Sequence, residues 1–211
     1  MEIHPPTRPI ESAKDFLLHL FMIVLGILIA LGLEQAVEAW HHHEMGVEAR
    51  ENILQEIRDN QKEIAGEHRL IEKNKEDMQH TLQVVRQFLA HQKLKVNSMS
   101  LSVNNADLNS TSWTTAGATG ALGYMGYAEA KRFARAYEIQ ELLQHVQEDR
   151  MRSVVHALTP VNFSGNGPDS MTDEQLREVE RGVLDCLAQA SQWEQLAAQL
   201  DDEYSRVLKA K

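Results

Sequence analysis

The apolar and polar positions along the chain divide it into unlike stretches. Residues Phe16 to Leu33 read FLLHLFMIVLGILIALGL, an apolar run whose one ionisable side chain is His19. At a rise of ~1.5 Å per residue, this run covers about 27 Å as a helix, close to the ~30 Å hydrocarbon thickness of a bilayer. Lipid offers no partner to free backbone groups, so helix is the conformation expected there. The run is longer than the apolar region of a typical signal peptide and no small-x-small cleavage pattern follows it, so a retained anchor is expected. A buried core helix is the plainer alternative. The polar sequence EQAVEAWHHHE comes next and suits continued helix, and Trp40 falls where an interfacial aromatic belongs.

From Glu44 to Lys95 the chain is rich in Glu, Lys, Gln and Arg. Ile57, Ile64, Ile71, Met78 and Val85 recur every seventh residue. Leu54, Leu82 and Leu89 fill a companion seam at its ends, with Gln61, His68 and Lys75 in its middle. The repeat predicts a coiled-coil-like helix packed on other helices, and the polar middle favours an antiparallel partner from the same chain, or a wet bundle interior, over a tight parallel dimer.

Val96 to Ser112, rich in Asn and Ser, reads as a loop. The segment WTTAGATGALGYMGY, Trp113 to Tyr127, predicts a short helix with a tight corner at Gly123 or Gly126. A helix over 128–158 follows, with Phe133, Tyr137, Leu143, Val146, Val154, Val155 and Leu158 inward and Pro160 as its stop. Thr172 with Gln175 forms a capping-box pattern opening a last helix to about Leu208. Its expected inward positions are Leu176, Val179, Val183, Leu187, Trp193, Leu196, Leu200 and Tyr204.

At the other end, Pro5, Pro6 and Pro9 make the N-terminus a short non-helical tail, and Ser12 with Asp15 a helix start. The expected fold is therefore all-α. One N-terminal transmembrane helix continues into a long heptad-bearing helix, which packs with two further long helices and one short helix as a bundle. The expected division is a cytoplasmic tail over 1–12, an anchor over 13–40 and an extracytoplasmic bundle over 41–211.

Charge narrows the choice of partners. The 21 Lys and Arg against 31 Asp and Glu leave a formal charge of −10, which argues against nucleic acid as a partner. Mean hydropathy of −0.40 excludes a polytopic membrane protein but leaves room for one span. The single cysteine, Cys186, rules out an intrachain disulfide and a Cys-rich zinc site; on the last helix it is expected to be buried and inert. Arg8 and Lys14 precede the run, whereas Glu34 to Val47 carries no Lys or Arg. This bias places the N-terminus in the cytoplasm and the bulk of the chain, in a bacterium, in the periplasm at the inner membrane.

The order of parts resembles a group of uncharacterised bacterial single-pass membrane proteins, a domain of unknown function. The likeness is carried by the anchor motif IVLGILIALGLE, a charged long helix, and the segment SWTTAGATGALGYMGYAEAKRFARAYEIQ over 112–140. It implies an anchor with an extracytoplasmic helical domain, and it implies no catalytic residues.

Few constellations suggest chemistry. Glu34, Glu38 and His41 or His42 would share a helix face, and Glu38-x-x-His41 has the spacing of di-iron bundles. No second such motif pairs with it (Glu141 and His145 are one residue out of register), and a polar collar at the membrane surface is the simpler reading. His19, inside the run, is read as a hydrogen-bonding group toward a partner helix. Gly26 and Ala30 make a small-xxx-small pair with Gly32 nearby, a spacing that permits helix association. Trp113, Tyr124, Tyr127, Phe133 and Tyr137 either line a ligand pocket or plug the helical domain.

No nucleophile elbow, phosphate-binding glycine loop or H-E-x-x-H motif occurs. No cofactor is implied. The bilayer, a second copy or other membrane subunits are the expected partners of an anchored interaction protein. A ligand-binding sensor and a metal-dependent membrane enzyme are the rivals.

Overall fold

A computed structural model describes residues 13–92, 99, 101–163 and 168–210. The expected N-terminal tail and the Ser12 helix start lie outside the described residues. Every regular element is helical, with no strand among the described residues. The elements are α1 (Ala13–Leu89), α2 (Thr111–Ala118), a short 3-10 turn (Ala121–Tyr124), α3 (Tyr127–Phe163), a second 3-10 turn (Pro168–Ser170) and α4 (Asp173–Lys209).

Helix α1 runs unbroken for 77 residues. Its apolar first part is uncovered by the rest of the chain, whereas its buried positions begin only at Gly46. Among the described residues this is the one helix long and apolar enough to cross a membrane.

Beyond that point α1 joins a bundle. Helix α4 packs against both α1 and α3. The cross-links Gln61–Asp201, Lys75–Glu194 and Arg86–Glu180 run in opposite order along the two helices, so α1 and α4 are antiparallel. The bonds Tyr204–Gln140, Trp193–Gln147 and Gln189–Ser153 make α3 and α4 antiparallel as well.

Helix α4 is patterned most regularly. Leu176, Val183, Ala190, Ala197 and Tyr204 form one buried seven-residue row, and Val179, Cys186, Trp193, Leu200 and Val207 the other. Leu187 and Leu196, expected inward, flank these rows half-buried. The capping box is complete: the Gln175 amide donates to the Thr172 hydroxyl, and the Thr172 amide donates to the Gln175 side chain.

The Ile57, Ile64, Ile71, Met78, Val85 row is buried as expected. Its companion is not the Leu54 to Leu89 seam, which lies half-buried at its ends, with His68 exposed. Gln61 and Lys75 of that seam edge the α4 contact. The buried companion is Ile53, Asn60, Glu67, Asn74 and Thr81, also at seven-residue spacing.

Two further expectations are corrected. Helix α3 continues through Pro160 to Phe163. A proline this close to a helix end removes only one backbone donor, and packing of Leu158 and Val161 on the core cluster of Met78, Val85 and Val179 holds the last turn. Val155 is exposed, because α3 turns that face to solvent.

Close approach of α3 and α4 depends on Gly182. A Cβ there would lie 2.6 Å from Cβ and 2.9 Å from Cα of Ala157. Alanine gains about 1 kcal/mol of helix propensity over glycine, but overpacking costs about 1–3 kcal/mol and here the obstacle is backbone. Gly182→Ala is expected to lower the urea midpoint. Gly66→Ala, with nothing within 4 Å of its Cβ, is expected to raise it.

Candidate functional site

The end of the bundle nearest the apolar run holds the most unusual arrangement of side chains. After α2 the chain turns at Gly120, whose φ of 77° is the left-handed conformation glycine accepts without strain. The left-handed corner is at Gly120, ahead of the expected Gly123 or Gly126, and the chain bends a second time at Met125–Gly126 before α3 begins. The 3-10 turn that follows packs on α1 at Gly46, where a Cβ would lie 3.1 Å from the Tyr124 carbonyl oxygen. The Tyr124 ring stacks on His42 with centroids 4.1 Å apart and planes 11° apart.

Glu56 organises the start of α2. Its carboxylate accepts the backbone N–H of Ser112 at 2.8 Å and of Trp113 at 3.4 Å. Those are early amides of a helix whose own N-cap residue, Ser110, makes no side-chain cap. A buried carboxylate from another helix thus supplies the cap. Tyr137 donates its hydroxyl to the same carboxylate at 2.5 Å. Burial, reinforced by Glu56, raises the Tyr137 pKa far above the ordinary phenol range, so this hydroxyl stays a donor. Trp113 stacks on Tyr137 at 5.2 Å.

Residues 101–110 form no helix and lie against α1 and α3. Their backbone is bonded by side-chain amides. Gln147 donates to the Ala106 carbonyl and accepts its N–H, each at 3.0 Å. Gln144 and Gln140 donate to the carbonyls of Leu108 and Asn109. Asn60 both donates to the Asn109 carbonyl and accepts its N–H. Glutamines at i, i+4 and i+7 on α3 therefore do for this connector what a neighbouring strand would do. Ala106 and Leu108 fill the core beneath.

Arg150 closes this row. It is 1% exposed, donates to the Asn104 carbonyl and lies 3.9 Å from the Glu67 carboxylate and 5.9 Å from the centre of the Trp193 ring. Burial lowers the Arg150 pKa, with Glu67 opposing. Burial raises that of Glu67 and outweighs the nearby Arg150. The Cys186 thiol, pushed up to about 11 by burial, is not a nucleophile at neutral pH. It lies in the second core cluster with Met78, Val85, Val179 and Val183; Ile57, Trp193 and Tyr204 belong to the first.

The residues singled out from the sequence are thus dispersed. Phe133 and Tyr137 are core, Trp113 is half-buried, Tyr124 is exposed and Tyr127 is 85% exposed. The five form neither one plug nor one pocket. A cleft of about 440 Å³ does lie outside the Trp113–Tyr137 stack, edged by Glu138, Glu141 and Gln144. Glu38 reaches His42 at 4.0 Å, but no three His, Cys, Asp or Glu side chains converge among the described residues. His19 bonds through Nδ1 to the Asp15 carbonyl of its own helix at 2.9 Å. Gly26 and Gly32 meet nothing within 4 Å.

Sequence reasoning missed Glu56, the glutamine row and Arg150. Asn60, Glu67, Asn74 and Thr81 carried a signal, since their own seven-residue repeat lies three residues after the Ile row. Comparison of the chain with protein-family models, with curated proteins and with solved structures returns no match.

Proposed function

We propose that the protein is a single-pass, membrane-anchored interaction protein. One observation carries this: the apolar first part of α1 is wholly uncovered, yet it belongs to the same unbroken helix that forms the bundle core. An eighteen-residue run that is apolar except for His19 would be strongly unfavourable in water, so a bilayer or another apolar surface has to cover it. The Lys/Arg bias around the run supports a cytoplasmic N-terminus and a periplasmic bundle. The likeness to uncharacterised anchored bacterial proteins fits the same reading.

The bundle works as a scaffold, self-assembling through the anchor or serving as an accessory subunit. Gly26 and Gly32 meet nothing within 4 Å and Ala30 is exposed, so a second helix could approach closely along them. A ligand-sensing role finds less support, because Trp113 and Tyr137 are spent on each other and on Glu56.

Native mass spectrometry of full-length protein, gently extracted from its own membrane, tests the proposal. The expected result is a discrete multiple of the chain mass or a larger assembly with other subunits. Gly26→Leu with Ala30→Leu is expected to dissolve a homo-oligomer. A monomer with no co-purifying protein would overturn the scaffold reading.

A further inference from the structure

We propose that the bundle opens in two steps, its half far from the apolar run separating at a polar layer while the near half stays folded. This goes beyond the anchored-scaffold reading and holds whether or not α1 crosses a bilayer. The buried apolar residues form two separate clusters. The near cluster ends at Ile71 on α1, Ala106 on the connector, Val146 on α3 and Trp193 on α4. The far cluster takes over at Met78, Val103, Val154 and Cys186. All four segments change cluster at one level, because Lys75 is paired with Glu194, Arg150 donates to the Asn104 carbonyl and Gln189 donates to the Ser153 hydroxyl.

That level is polar on every segment. Asn74 stands between the clusters on α1, Asn104 and Asn105 on the connector, Arg150 and Ser153 on α3, and Gln189 on α4. Their side chains answer one another only in part. Asn74 Nδ2, Arg150 Nε and Gln189 Oε1 are buried with no hydrogen-bond partner in the protein, and so is Glu67 Oε1, 3.9 Å from Arg150 Nη2. Among the described residues these are all the buried side-chain polar atoms left so. Two of the four are donors and two are acceptors, the complement of water, which donates twice and accepts twice.

A layer of this kind couples the two clusters weakly. Shared apolar burial is what makes neighbouring parts of a core open together, and parting the clusters here exposes polar groups that water suits. The helices continue through the layer, so opening is an unwinding from the far end that halts where the near cluster begins. The far half is the one to open first. Among the described residues it holds eight buried apolar side chains against nineteen in the near half, and none of the eight is aromatic. The Glu56 cap, the Asn60–Gln140–Tyr204 bonds and the Trp193–Gln147 bond all belong to the near half.

The test uses full-length protein in mild detergent and the chain's one thiol. Cys186 is fully buried in the far cluster, so a thiol reagent reaches it only when that half opens. Ala136, fully buried in the near cluster, carries the comparison thiol as Ala136→Cys in a Cys186→Ala background. Under native conditions Cys186 is expected to label more than about tenfold faster than the thiol at 136. Amide exchange of the parent protein locates the step. Amides over 78–89, 154–161 and 173–186 are expected to share one opening free energy, with a higher one shared over 53–71, 133–146 and 193–207. Asn74→Leu carries the apolar row of α1 across the layer and is expected to narrow the gap by protecting Cys186 several-fold. Equal labelling of the two thiols, or protection that fades evenly toward the far end with no step at the layer, would overturn the two-step opening. A gap as wide in Asn74→Leu as in the parent would overturn the layer as its cause.

Discussion

Glu56→Ala is expected to destabilise the bundle by about 3–5 kcal/mol. The carboxylate is buried and accepts from the Ser112 and Trp113 amides and the Tyr137 hydroxyl. Loss of a helix cap alone costs about 1 kcal/mol. Leaving a buried hydroxyl unpaired costs about 1–3 kcal/mol more, and a hydrogen bond to a charged group exceeds a neutral one. Tyr137→Phe removes only one donor and is expected to cost less than half as much. Urea unfolding in mild detergent, followed by far-UV circular dichroism, gives both values. Equal midpoints for Glu56→Ala and the parent would show that α2 is held by packing and not by this cap. The local consequence is separately measurable: amide exchange over 111–118 is expected to quicken in Glu56→Ala well before the rest of the bundle opens.

Arg150→Met is expected to be similarly costly at neutral pH, about 3–5 kcal/mol, because it strands the Glu67 carboxylate in the interior. The sign of its pH dependence follows from Glu67. Burial already holds the folded Glu67 pKa above that of the unfolded chain, and Arg150 is the group that pulls it down. Removing the cation raises it further. An acid with a raised folded pKa contributes full stability below its unfolded pKa, and that contribution is lost as pH rises through the folded value. The Arg150→Met deficit is therefore expected to shrink as pH falls below neutrality and Glu67 takes up its proton. Glu67→Leu combined with Arg150→Met is expected to recover most of the loss, since an apolar pair of similar volume replaces two buried charges. Trp193, fully buried beside Arg150, reports unfolding by fluorescence. A deficit that grows on acidification would contradict the placement of Glu67.

These two sites also mark where the sequence was silent. Helix α4 was legible almost whole, because a helix buried along one stripe repeats its apolar residues every seven positions and its cap is local chemistry. The Ile row of α1 was legible for the same reason. Its buried neighbours Asn60 and Glu67 were not, because polar residues enter a core only when something nearby answers their hydrogen bonds. That something is the backbone of 104–110 and Arg150 of α3, tens of residues away and visible only after folding. Gln140, Gln144 and Gln147 find their partners only when a connector is laid across them. Tyr124 and Tyr127 look alike in sequence to Phe133 and Tyr137. Which pair is covered depends on the corner at Gly120 and on Gly46 letting the turn come close. Pro160 misled because the stop rule for proline speaks to one lost bond, and the packing of Leu158 and Val161 outweighs it.

The unbroken length of α1 also sets a scale. From Trp40 to Leu89 the helix advances about 74 Å at ~1.5 Å per residue. The α3–α4 junction at Pro168–Ser170 travels with that far end, since Arg86 is tied to Glu180. A tilt of about 10° at the foot of such a rod sweeps its tip through roughly 13 Å. In the proposed anchored arrangement the molecule is a lever as well as a tether: whatever grips the tip feels small rotations of the apolar segment as displacements larger than a helix diameter.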